Sequence, residues 1–215
     1  MFRKIVLTAA VVLSTSLSLS NAVFASEHSF GVLSTLAQPL NFGDQAETLA
    51  TSCPSAGNCT AVGYYYDVNH HSQAFISTQN HGVWHQAVEV GAALNVGNYA
   101  ALESISCASA GNCSATGYVS DAKNRQQAMI MTEVNSVWSA AFDVATLMNL
   151  SGNADLYSVS CSANAQCAAV GWVGSGPDEY QSVIINEVNG VWGQPFEVTT
   201  VLNVSNYGYL QSVSC

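Results

Sequence analysis

The seven cysteines stand at 53/59, 107/113, 161/167 and 215, so the first of each group returns every 54 residues without one insertion or deletion. Trp84, Trp138 and Trp192 keep the same interval. At this period, segments 31–84, 85–138, 139–192 and the partial 193–215 share columns. These include Asn41/Asn95/Asn149/Asn203, Ser52/Ser106/Ser160/Ser214, Gly63/Gly117/Gly171, Gln73/Gln127/Gln181 and Val83/Val137/Val191. A repeat of this length implies stacked supersecondary units, none of which buries its apolar face alone. Whatever one unit folds into, its neighbours must fold into too.

Each unit reads as four short strands, placed in the third unit at 156–161, 167–173, 181–187 and 191–198. No helical periodicity follows the N-terminal segment, so the fold class is all-β. Asn189-Gly190 marks a two-residue hairpin between the third and fourth strands, because both positions tolerate positive φ. Asn80-His81-Gly82 and Asn135-Ser136 take its place in the other units. The third strand is apolar on both faces, with Phe75, Met129, Met131, Val183 and Ile185 on one and Ile76, Ile130 and Ile184 on the other. Such a strand belongs inside a covered sheet. In the fourth strand Trp138, Phe142 and Val144 alternate with Ser139, Ala141 and Asp143, which predicts an edge with one wet face. The first strand carries small serines, Ser104, Ser106, Ser158 and Ser160, suited to a crowded inner position. These features predict a β-propeller-like array of four-stranded repeats. A β-trefoil, which also builds three units of four strands, is the alternative. Segment 31–215 amounts to about 3.4 units, so the array is expected to stop part-way through a unit.

The Cys-x5-Cys spacing encloses turn formers, which predicts disulfides Cys53–Cys59, Cys107–Cys113 and Cys161–Cys167 across hairpin tips. Zinc sites favour Cys-x2–4-Cys with further ligands, and no histidine repeats with the cysteines. Closing so short a loop contributes roughly 2 kcal/mol. Cys215 is left unpaired, in register as the first cysteine of a fourth unit whose partner would be residue 221. Self-association through Cys215 or through open blade edges is the corresponding expectation.

Only 8% of residues are charged, with 4 basic against 14 acidic side chains, which excludes a nucleic-acid binder that relies on basic patches. Residues 1–25 have the layout of a signal peptide: Arg3 and Lys4, an apolar run over 5–13, and small residues around Val23-Phe24-Ala25. The apolar run is far short of the roughly 20 residues that span a bilayer. The expectation is a repeat domain over 26–215, secreted or periplasmic and without a membrane span, in a compartment where disulfides persist.

The block Ser104, Ser106, Cys107, Cys113, Ala115, Gly117, Tyr118, closed by Trp138, resembles repeats of secreted bacterial propeller-like proteins over nearly the whole of 31–215. The resemblance implies an extracytoplasmic β-propeller-like array and implies no activity. The Gly-x-Trp hairpin is also similar to the Asp-box of sialidase-type propellers. It departs from that motif in spacing and lacks the Asp, so no sialidase activity follows.

His70 and His71 precede the third strand and His81 and His85 follow it, roughly 20 Å apart along an extended chain, which opposes one four-ligand site. Each unit has acids before its third strand: Asp67 with Asn69, Asp121 with Asn124, Asp178 with Glu179. Calcium in these loops is a minor alternative to solvated turns, since the spacing differs each time. Glu89, Asp143 and Glu197 share an outer-strand column, expected to discourage edge pairing. Asn58, Asn112, Asn149 and Asn203 match a glycosylation sequon, but three belong to repeating turns or strand starts, so they are expected to act in turn formation. No catalytic, cofactor or metal motif is present in the sequence, and Trp84, Trp138 and Trp192 are expected in the repeat core. The functional expectation is an exported, non-catalytic binding module for a glycan or protein ligand. The alternatives are a carbohydrate-active enzyme on the same scaffold, which would gather Asp67, Asp121, Asp178 or Glu179 in one pocket, and a remnant of a longer array.

Overall fold

The structure is a computed structural model that describes residues 45–144, 152–162, 166–176, 179–198 and 207–215. Residues 1–25, expected to be a signal peptide, and Asp178, Asn149 and Asn203 lie outside the described residues. The described chain contains no helix; it forms three similar antiparallel sheets. The first comprises β1 (Ala46–Ser55), β2 (Asn58–Tyr66), β3 (Ser72–Asn80) and two short segments, β4 (Val83–Trp84) and β5 (Val88–Val90). The second repeats this with β6 (Ala100–Ser109), β7 (Asn112–Ser120), β8 (Gln126–Val134), β9 (Val137–Trp138) and β10 (Phe142–Asp143). The third has β11 (Ala154–Cys161), β12 (Cys167–Gly176), β13 (Glu179–Val188), β14 (Val191–Trp192) and β15 (Phe196–Glu197). Each runs in order from a first strand to a split fourth strand, and the three sheets form an open, blade-like array. They do not close into the barrel that a trefoil requires.

The third strands are buried along their middles, as two-sided apolarity demands. The fourth strand departs from simple alternation. Glu133 faces Trp138, but Ile130 faces Phe142, so one extra residue lies between the two pairs. The same one-residue shift separates Gln79/Trp84 from Ile76/Val88, and Glu187/Trp192 from Ile184/Phe196. A bulge of this kind reverses the faces of all residues beyond it. Trp138 and Ala141 therefore pack on the cluster shared with the first sheet, while Val144 joins the cluster shared with the third. Phe142 and Phe196, predicted to share a face with the tryptophan, are instead 36% and 66% exposed.

The inner serines join one sheet to the next. Ser52 Oγ accepts from Cys107 N–H at 3.0 Å, Ser104 from Val159 at 3.1 Å and Ser106 from Cys161 at 2.9 Å. Ser158 and Ser160 receive Val213 and Cys215 at 3.2 and 2.9 Å, so residues 213–215 continue the same ladder. Ala50 stands where Ser104 and Ser158 stand in the later repeats, so the first seam lacks that hydroxyl. Gly63, Gly117 and Gly171 allow the close approach of first and second strands. A Cβ on Gly117 would lie 2.1 Å from the Ala101 carbonyl oxygen.

All three predicted disulfides are formed, with Cα separations of 4.1, 3.9 and 4.0 Å, and Cys215 is a free, exposed thiol. The hairpins His81-Gly82, Asn135-Ser136 and Asn189-Gly190 all have positive φ at both positions. Each of the first two docks on a disulfide loop: Gly82 N–H donates to Gly57 O, and Ser136 N–H to Gly111 O, both at 2.8 Å. Asn58 and Asn112 reinforce that contact by accepting from His81 N–H and Asn135 N–H.

Candidate binding site

Gln79, Glu133 and Glu187 occupy one repeat position near the hairpin end of the third strand. The strand's period of two puts Glu133 on the face of Met129 and Met131, and Glu187 on that of Val183 and Ile185. Two carboxyls are thereby buried in the seams between successive sheets. Glu133 is 5% exposed and Glu187 2%.

Between the second and third sheets the carboxyl is fully engaged. Glu187 Oε2 accepts from Ser114 Oγ at 3.1 Å and Oε1 from Thr132 Oγ1 at 3.2 Å, while Trp192 Nε1–H donates to Thr132 Oγ1 at 2.9 Å. Burial raises the carboxyl's pKa and the two hydroxyls partly offset that. The space left beside it is only about 10 Å³. Cys161, Cys167 and Glu187 bring their ligand atoms within 4.8 Å of one another, but both sulfurs are in the disulfide and offer no thiolate to a metal.

Between the first and second sheets the equivalent position opens into a cavity of about 150 Å³. Thr60, Thr78, Gln79 and Asn80 line it from the first sheet, and Glu133 and Trp138 from the second. Here Glu133 Oε2 and Trp138 Nε1 are buried without a hydrogen-bond partner. Burial again raises the Glu133 carboxyl above its ordinary range. Thr60 Oγ1 lies 3.8 Å from Cys113 Sγ. Five positions that line both spaces differ between the seams: Pro54, Thr60, Gln79, Asn80 and Ser136 at the first correspond to Ala108, Ser114, Glu133, Val134 and Gly190 at the second. A buried polar atom left without a partner costs roughly 1–3 kcal/mol.

The acids singled out from the sequence are used elsewhere. Asp67 caps its own turn, accepting Asn69 N–H at 2.8 Å, His71 N–H at 3.0 Å and Gln73 Nε2 at 3.2 Å. Asp121 does the same with Lys123 and Arg125, and Arg125 Nη2 adds an ion pair at 2.6 Å. Desolvation opposes the charge on both, but these backbone and side-chain donors outweigh it and hold both carboxyls below their ordinary range. Asp67, Asp121 and Glu179 stand in or beside the equivalent turns of successive sheets. His70 and His71 precede β3, and His81 and His85 follow it. On the outer column Glu89 is bound by the Tyr65 hydroxyl. Trp84, Trp138 and Trp192 are half-buried; Trp138 and Trp192 flank the two inter-sheet clusters.

Three acids not foreseen matter more. Besides Glu133 and Glu187, Asp155 is 2% exposed and accepts Gln126 Nε2 at 2.7 Å across the second seam. Burial and then the Glu103 charge push its pKa up to about 8, against the Leu156 N–H, which lowers it. The repeat places Ala101 at the matching position of the first seam. Glu133 and Glu187 could have been found from their parity with the buried residues of the third strand. Comparison of the chain with protein-family models and with curated protein sequences gave no match.

Proposed function

We propose that the protein is an exported, non-catalytic binding module whose ligand occupies the cavity between the first and second sheets. The observation that carries this is that Glu133 and Trp138, each with a buried atom that lacks a partner, line a cavity of about 150 Å³ where the repeat counterpart leaves about 10 Å³. Function in repeat scaffolds resides where one unit departs from its copies, because the shared residues already answer to folding. The layout of residues 1–25 and the three disulfides support an oxidising destination outside the cytoplasm.

Thermal-shift measurement of the disulfide-intact protein against small polar molecules (sugars, amines, amino acids, short peptides) tests this reading. A ligand at about 100 times its Kd adds about 2.7 kcal/mol of stability, an easily measured rise in Tm. The rise is expected for at least one compound and is expected to vanish in Asn80→Trp, which fills the cavity mouth from an exposed position. No rise with any compound would overturn the proposal.

A further inference from the structure

We infer that the cavity takes a neutral, ring-sized polyhydroxylated ligand: one sugar residue, free or at the end of a glycan. This rests on the binding-module reading above and names its ligand class. Glu133 and Trp138 line the cavity, and each carries a buried atom without a partner that a turn of its side chain would offer to an occupant: a carboxyl oxygen that needs a donor and an indole N–H that needs an acceptor. Neighbouring hydroxyls on one ring meet both, since each hydroxyl donates and accepts. The remaining polar side chains of the lining are neutral: the Thr60, Thr78 and Ser136 hydroxyls and the amides of Asn58, Gln79 and Asn80. Among the lining residues no cationic side chain offsets Glu133, which disfavours a phosphate or carboxylate ligand. A single carboxyl is a poor calcium site, because calcium takes six to eight oxygens. An organic ammonium would satisfy Glu133 and leave the indole N–H buried and unmet. Size agrees as well: a cavity of about 150 Å³ is enough for a six-membered ring such as benzene.

Titration calorimetry on the disulfide-intact protein decides this, with methyl glycosides of the common hexoses, hexosamines and deoxyhexoses as probes. Methylammonium and inorganic phosphate serve as rivals, and a glycan array separates free sugars from chain ends. At least one glycoside is expected to bind. Trp138→Phe keeps an aromatic ring, removes the N–H and is expected to weaken binding about tenfold. Thr60→Ser combined with Asn80→Val copies the closed seam at two of the positions that differ and is expected to weaken it at least as much. Trp192→Phe, in the closed seam, is expected to leave the affinity unchanged. Intact mass and circular dichroism check that each variant retains three disulfides and its sheets. If Trp138→Phe fails to fold, the double variant still decides. Binding of methylammonium or phosphate in place of glycosides overturns the ligand class and leaves the binding module standing. Glycoside binding that neither variant changes places the site elsewhere and overturns this inference. Silence from every probe, with no thermal shift, overturns both readings.

Discussion

The two seams between sheets are built from the same repeat positions, yet one is closed and the other holds a cavity. In the second seam Glu187, Thr132, Ser114 and Trp192 satisfy one another and about 10 Å³ remains. In the first, Glu133 and Trp138 keep unpartnered atoms beside about 150 Å³. The apolar parts correspond closely, with Leu102 in one cluster and Leu156 at the matching position of the other. The difference therefore lies in a few polar side chains. The closed seam has Ser114, Glu133, Val134 and Gly190 where the open seam has Thr60, Gln79, Asn80 and Ser136. The same backbone thus closes in one place and leaves a cavity in another.

The largest effect tests whether the apolar halves are alike. Leu102→Ala and Leu156→Ala each delete a fully buried side chain and are expected to cost about 2–5 kcal/mol in denaturant unfolding. Values differing by more than the span of such measurements would show that the seams differ in their packing as well.

Next comes pH. The folded protein keeps a proton on Asp155 up to about pH 8, whereas the unfolded chain releases it near 3.8. Between these values the native state binds more protons, so stability falls as pH rises from about 4 to about 8. Glu103, Glu133 and Glu187 are raised and act in the same direction, while the lowered Asp67 and Asp121 make the protein less stable at still lower pH. Tm is therefore expected to peak near pH 4–5. Asp155→Asn should remove a slope worth a few kcal/mol. Because Ala101 holds the matching place in the first seam, an unchanged slope in this variant would assign the pH response to the shared glutamates.

A smaller effect separates the polar halves. Thr132→Val strips the partner from both Glu187 and Trp192 and is expected to cost about 1–3 kcal/mol. Thr78→Val, the same change in the open seam, is expected to cost under about 1 kcal/mol, since neither Glu133 Oε2 nor Trp138 Nε1 depends on it. Equal costs in paired unfolding curves would erase the distinction.

The repeat period, the disulfide pairs and the buried third strands were all legible in the sequence, because each follows from spacing and local pattern. The positive-φ hairpin Asn189-Gly190 was legible for the same reason. The bulge in the fourth strand was not: Ser139, Ala140 and Ala141 satisfy an unbroken alternation as well as an interrupted one, and only the pairing of Phe142 with Ile130 reveals the shift. The inner serines pointed to a crowded position, but their bonds to a strand 55 residues onward needed the sheets to be stacked. The cavity lay furthest from view. It arises from Thr60, Asn80, Glu133 and Trp138, which come from two repeats and acquire meaning only against Ser114, Val134, Glu187 and Trp192. The loop acids Asp67 and Asp121, expected in solvated turns, cap those turns by accepting from the turns' own backbone N–H groups.

The central claim is that the first seam is open to a ligand and the second is not. Proton–nitrogen spectra of the ¹⁵N-labelled protein report it directly, because the chain has four tryptophans and thus four indole N–H signals. On titration with the glycoside that binds best, the Trp138 indole signal is expected to move progressively while that of Trp192 stays fixed. A Trp138 signal that does not respond while binding is observed, or one that moves no more than Trp192, would contradict the account.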